Sequence, residues 1–412
     1  MKTAEKSRLN ISMINNYLIA LIFLIVPVIF SHFLYIFWIN YSLPTAYSYE
    51  SIKVLAFLCI VLGIWTFGLL RSWIFSFKFK ISRRTIYLLL MFIIFLISSS
   101  LSVNQEISLF WSPQKSHWAI FYLALIYLYL VLIDILPKKI YLSEFFNKVI
   151  LSTWIVVSLY ALIQLLWLDP LFSLYTTRVP LERVFSTFWN ANYLAWYMLI
   201  LLPLVFNLKA SNRLKFSLFL IFWIVLIATR SMFWIILLMC YSLYLIFNSR
   251  KLKGKHFLLT AVFLSFLAIS SYFYLKYNIW NMKLYSAFSR FYLIKTALNA
   301  YFNSFQSILF WNGFDTLYLV YKDFKDPMLN IYEDYNYIAD SSHNVFIDIL
   351  YSVWLIWFIW IFLPLFMLLR RADNIYLLHS TILFFIFFSF NIPSVSHYLI
   401  LIYCLSSIRL KK

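Results

Sequence analysis

Long apolar runs follow one another almost without pause along this chain, at 16–39, 51–70, 85–103, 117–136, 146–168, 190–207, 214–229, 231–248, 257–275, 345–369, 374–391 and 395–409. A helix needs about 20 apolar residues to cross the hydrocarbon of a bilayer. Twelve spans in an all-α polytopic membrane protein are the expectation. The residue types agree, because 64% hydrophobic and only 12% charged residues could not cover a water-facing globule. Four glycines and no period-two alternation point away from strands.

One residue interrupts this pattern at an informative place. The stretch IVLIATRSMFWIILL (224–238) puts Arg230 in the middle of an apolar run from Phe216 to Phe247. A guanidinium at mid-membrane costs on the order of 2.5–3.5 kcal/mol by insertion scales. Basic clusters flank the run at Lys209, Arg213 and Lys215 and again at Arg250, Lys251, Lys253 and Lys255. Lys and Arg favour cytoplasmic segments, so both clusters belong inside and the chain between them must cross twice. A tight turn at Thr229–Arg230–Ser231 on the outer face is predicted.

The same rule, with both termini cytoplasmic, places Lys2, Lys6, Arg8, Arg71, Arg83, Arg84, Lys138, Lys139, Arg370, Arg371 and Arg409 inside. The net charge of +19 is therefore a topology signal and not a nucleic-acid one. The first run, Tyr17–Ile39, is too long for a signal-peptide core and lacks an A-x-A-like cleavage site, so a retained first span is expected. Cys59, Cys240 and Cys404 all fall in apolar runs and read as small packed residues.

The outer basic residues oppose the orientation trend. They include Lys53 and Lys276 and four arginines, Arg178, Arg183, Arg230 and Arg290, each beside a membrane boundary. Arginine presents a planar fork of donors that stays charged and suits phosphate oxygens. Such a set can hold an anionic lipid headgroup such as a polyprenyl pyrophosphate. Interfacial snorkelling, or pairing with acids such as Glu182, is the competing explanation.

The one long hydrophilic segment divides the chain into a bundle over 1–275, an outer loop over 276–344 and a second set of spans over 345–412. The loop opens with YSAFSRFYLIKTALNAYFNSF (285–305), whose period predicts a helix with Phe288, Phe291, Tyr292, Ile294, Leu298 and Tyr301 on one face, lying on the membrane surface. Gly313 is expected at a backbone turn. Six acids between Asp315 and Asp340 can neutralise the arginines, bind a sugar or solvate the loop. His343 closes the segment. An imidazole is well suited to taking a proton near neutral pH, so it is a candidate general base, although a histidine at the start of a helix also serves as a cap or interfacial residue.

No P-loop, G-x-G-x-x-G, H-E-x-x-H or Cys/His ligand spacing is present, and neither a metal nor a cofactor is expected. His32, His117 and His397 are scattered. Asp134 and Asp348 are the acids closest to membrane depth. A proton-relay transporter would want such groups mid-span with paired Gly or Pro breaks.

Four blocks, in order, resemble the O-antigen ligase/polymerase superfamily: RVFSTFWNANYLAWYMLILLP (183–203), TRS (229–231), SRFYLIKTAL with LFWNGFDTLY (289–318), and HNVFIDIL (343–350). The resemblance covers roughly residues 180–365. It implies a GT-C-like, metal-independent membrane glycosyltransferase of the bacterial inner membrane, working on the periplasmic face. Its donor would be a glycan on undecaprenyl pyrophosphate. The acceptor would be lipid A–core for a ligase in lipopolysaccharide biosynthesis, another carrier-linked repeat for a polymerase, or a protein. By position, His343, Arg230 and Arg290 would be catalytic. Arg183, Arg178, Asn192, Asn344 and Gly313 would bind substrate. Where the family has glycine this chain has Ser186, Asp315, Trp354 and Trp357. A non-catalytic transporter of an anionic lipid-linked glycan is the alternative from another class.

Overall fold

The computed structural model describes residues 16–29, 46–75, 83–109, 119–135, 140–166, 183–188, 190–248, 277–303, 312–313, 316–333, 336, 338–339, 341–353, 358–359, 362–363, 366, 369–370, 372–389 and 394–408. Among them the chain is helical and forms no strand. In chain order the helices are α1 (Asn16–Ile25), α2 (Ala46–Phe75), α3 (Arg83–Ser100), α4 (Gln105–Leu109), α5 (Ala119–Ile135), α6 (Ile140–Leu165), α7 (Ala191–Asn207), α8 (Asn212–Ala228), α9 (Met232–Asn248), α10 (Tyr277–Phe302), α11 (Leu317–Phe324), α12 (Leu329–Tyr332), α13 (Val345–Ser352), α14 (Ile375–Phe388) and α15 (Val395–Ser407). One described segment, Ser143–Leu165 in α6, is both long and apolar enough to cross a membrane, and α7, α14 and α15 are shorter apolar helices.

Helix α7 is the axis of the bundle. Its residues from Leu194 to Leu202 have no exposed surface. A helix that is apolar all round belongs inside other helices. It packs against α14 and α8, with Trp196 stacked on Phe387. The pairing with α14 is antiparallel: Asn374 donates to Asn207 Oδ1 (3.1 Å) at one end, and the Trp196–Phe387 stack lies towards the other. The Asn374 end also holds the Lys209–Glu144 pair and a bond from the Tyr403 hydroxyl to the Ser143 carbonyl (3.0 Å). The opposite end, the motif end, carries the starts of α7, α9 and α15.

Polar residues stop and start these helices where the free backbone groups need partners. Asn190, Ser211, Asn344 and Asn374 cap α7, α8, α13 and α14 through their side chains. The turn expected in the 216–247 run is present: α8 ends at Ala228 and α9 begins at Met232.

Three expectations change. The run 345–369 reads as one span in the sequence, but α13 stops at Ser352 and Val353 is extended. Side chains take the carbonyls of its last turns: Ser352 Oγ donates to Asp348 O, Asn312 Nδ2 to Tyr351 O and Ser98 Oγ to Ser352 O (2.6 Å). The loop helix α10 forms, but it buries Leu293, Ala297, Ala300 and Tyr301 while Phe288 and Phe291 are exposed. The small Ala297 and Ala300 let α11 and α13 approach closely, which a reading of bulky residues overlooks. Of the cysteines, all free, only Cys404 is packed inside, and Cys59 and Cys240 are exposed.

Candidate functional site

The motif end is built on a one-turn 3₁₀ helix, Ser186–Phe188, just ahead of α7. Gln164, on the last turn of α6, fixes it by accepting from the backbone N–H groups of Phe185 (3.2 Å) and Ser186 (2.7 Å). The Ser186 hydroxyl donates to Val157 O, and that of Thr187 to Pro27 O. Ser186 has φ of 51°, in the left-handed region where glycine is at ease. Ser186, where the resemblance would have glycine, therefore has a glycine-like backbone, and two hydrogen bonds hold it there.

This turn presents Arg183. Its Nε donates to the Thr229 carbonyl (2.8 Å) and its Nη2 to Asn192 Oδ1 (2.9 Å). The Ser231 hydroxyl donates to the same Asn192 oxygen (2.6 Å), and the Val184 N–H reaches Ala228 O. Block 183–192 and the hairpin 229–231 thus form one knot. Arg230 stands at its centre with φ of 49° and an exposed side chain, between buried Thr229 and Ser231. The turn leaves Arg230 exposed while its neighbours anchor the loop.

Arg290 on α10 reaches the same region. Burial pulls its pKa below the ordinary arginine value, and the nearby Tyr193, adjacent to Asn192, acts the other way. Tyr193 packs edge-on against Phe387 of α14, two residues before Ser389. The Ser389 carbonyl accepts from Asn344 Nδ2 (3.1 Å), which brings the His343–Asn344 pair to this end. His343 is half-buried with φ of 56°. Its flanks are locked: the Ser342 N–H donates to Asp348 Oδ1 (2.9 Å), and the Ser342 hydroxyl donates to Asn344 O.

Other sequence candidates find different places. The Asn344 side chain caps α13 and ties it to α14, so its polar atoms serve the scaffold. Gly313 has φ of 87°, and a Cβ there would collide with Ser102 and lie 2.7 Å from Ser108 Oγ. It locks the loop to the end of α3, alongside a Val103 N–H bond to Asn312 O. Arg178 lies outside the described residues, as do Asp315, Trp354 and Trp357. Among the described residues no three His, Cys, Asp or Glu side chains are grouped as metal ligands would be.

Two further residues lie at this end, which the sequence marks only as an outer basic residue and a scattered histidine. Lys53 on α2 is fully buried; its Nζ donates to the Thr187 carbonyl (2.8 Å) and lies 4.1 Å from the Phe188 ring. His397 stacks on Trp196 and bonds both Ser394 and the Tyr193 carbonyl. A lone charge or histidine at the rim of an apolar run is the available signal.

Comparison of the chain with models of known families, with curated proteins and with solved structures finds no match.

Proposed function

We propose that the chain is an outward-facing membrane glycosyltransferase that moves a glycan from undecaprenyl pyrophosphate to an acceptor hydroxyl, in the manner of an O-antigen ligase acting on lipid A–core. The observation that carries this reading is the single knot of Arg183, Asn192 and the 229–231 hairpin, with Arg230 projecting from it. Donors fixed by their own hydrogen bonds act on developing charge without having to reorganise first. The bilayer setting is supported by apolar side chains exposed around the bundle, such as Leu55 and Leu62 of α2, Ile86 and Ile93 of α3, and Leu159 of α6.

In this mechanism the arginines hold the diphosphate, with Arg230 and Arg290 offering the donors and Arg183 fixing the hairpin beneath. His343 takes the proton of the acceptor hydroxyl as its oxygen attacks the anomeric carbon. The bond from that carbon to the phosphate oxygen breaks, and the electron pair leaves with undecaprenyl pyrophosphate. The increase in negative charge on the leaving group is what the guanidinium forks stabilise. The proton then passes from His343 to water. The twelve-span topology, with both termini cytoplasmic and the knot on the periplasmic side, belongs to the same proposal.

Purified protein in nanodiscs, given the pyrophosphate-linked glycan and lipid A–core, tests it. Release of carrier pyrophosphate that is lost in His343→Ala supports transfer. Donor binding without release would leave a transporter. Joining of two carrier-linked repeats, with lipid A–core left untouched, would make the protein a polymerase.

A further inference from the structure

A second feature of the outer segment lies apart from the arginine knot. Tyr332, the last residue of α12, is surrounded by three rings of α10: Tyr285 at 5.4 Å, Phe288 at 5.6 Å and Tyr292 at 5.6 Å, the last two nearly parallel to it. Tyr285 and Phe288 remain 49% and 48% exposed. Behind them, Leu293, Tyr321, Leu329 and Ala339 form a buried cluster against which Tyr292 packs. The rings therefore form a shelf held from below. Glu333 stands at its rim and accepts from the Ser289 hydroxyl.

We infer that this shelf is a saccharide subsite, binding the glycan portion of the lipid-linked substrate; the inference rests on the transferase reading above. Flat aromatic faces cover the apolar C–H faces of sugar rings, and the phenol hydroxyls and a carboxylate at the edge suit sugar hydroxyls. Exposed apolar patches of this kind mark binding surfaces. The same carboxylate argues against immersion in lipid, where its desolvation would be costly. Position on the helix also fits. Phe288 and Arg290 are two residues apart, so about 160° separates them around a helix with about 100° per residue. A glycan whose diphosphate lies at Arg290 would cross the width of α10 to reach the shelf, so several sugars are needed to fill both places.

The test uses the full chain in phosphatidylcholine nanodiscs. The probe is the set of oligosaccharides released by mild acid from the producing cell's own surface polysaccharide, sorted by length, with binding measured by calorimetry. Wild type should bind the longer oligosaccharides, Phe288→Ala should weaken binding at least tenfold, and Phe288→Trp should restore it. Arg230→Lys should bind them like wild type while failing in transfer, which separates failure of the shelf from failure of the transferase reading. Equal binding by wild type and Phe288→Ala would overturn the proposal. So would strong quenching, by brominated phosphatidylcholine, of the fluorescence added by Phe288→Trp, because that outcome makes the shelf a membrane-docking face.

Discussion

The middle of α7 and the motif end of the same bundle are built on opposite rules. From Leu194 to Leu202 the helix is apolar, fully enclosed and regular. At the motif end the chain turns through Ser186, Arg230 and His343, which are the non-glycine residues with positive φ among those described. Each such residue costs on the order of 1–2 kcal/mol in an L-amino-acid chain. Stability alone would place these turns on glycine, as at Gly313. The difference teaches that the core holds the helices together, whereas the rim is shaped to aim particular side chains. Strain at the rim is maintained by the surrounding hydrogen bonds to Gln164, Val157, Ile227 and Asp348.

That contrast makes separable predictions. The largest effect is expected on activity at the rim: Arg230→Lys should lower kcat/KM for glycan transfer about 100-fold, because a point charge cannot replace a bidentate fork. Its melting temperature should move less than that of a core variant, since the residue is exposed. The core should behave in the reverse way. Ile200→Ala leaves a cavity in the enclosed stretch of α7 and should cost about 2–5 kcal/mol of stability in detergent unfolding, with the turnover of the folded fraction retained. A core variant that lost turnover without losing stability would break the comparison.

Gln164→Leu lies between the two regions. It strands the N–H groups of Phe185 and Ser186, and the expected loss is about 1–3 kcal/mol per unsatisfied donor. Because these bonds hold the turn that presents Arg183, transfer should fall as well, and kinetics on the folded fraction would reveal it. Ser186→Gly should change least. Relief of left-handed strain and loss of the hydroxyl bond to Val157 O are each worth about 1 kcal/mol and oppose one another. Ser186→Val at the same place should unfold the turn, and thermal melting of the pair would distinguish strain from simple packing.

The segment from α10 to α12 supplies a pH test. Burial alone would raise the Asp326 carboxyl, but the bonds from Lys295 (2.7 Å) and the Met328 N–H outweigh it and hold its pKa below the ordinary carboxylate range. A depressed acid contributes stability above its unfolded pKa and loses it as pH falls through the folded value. Lys295, raised by the same bond, loses its share only as pH rises through the lysine range. This segment should therefore be steady near neutral pH and loosen in acid, and Asp326→Asn should flatten that acid limb in amide-exchange measurements.

Much of this is legible in the residues. One arginine between two basic clusters locates the break between α8 and α9. The contact of Arg183 and Asn192 with the hairpin is a finding of the structure, because the resemblance gives both residues only as substrate-binding. What stays hidden depends on partners distant in sequence. Nothing local at Val353 signals a helix end, because the groups that take the last carbonyls come from Ser98 and Asn312 as well as Ser352. Lys53 and Gln164 look like isolated polar residues in apolar runs until Thr187 and Ser186 are folded against them. The face of α10 that meets α11 and α13 is hard to find from its pattern because small alanines, and not only large rings, make those contacts.

The most direct measurement asks whether positions 230 and 343 open to the same outer space. Arg230→Cys and His343→Cys, each placed in a chain whose Cys59, Cys240 and Cys404 are replaced by alanine, would be labelled in intact cells with a membrane-impermeant maleimide. Both should label from outside. Labelling of either position from the cytoplasm alone would contradict the account.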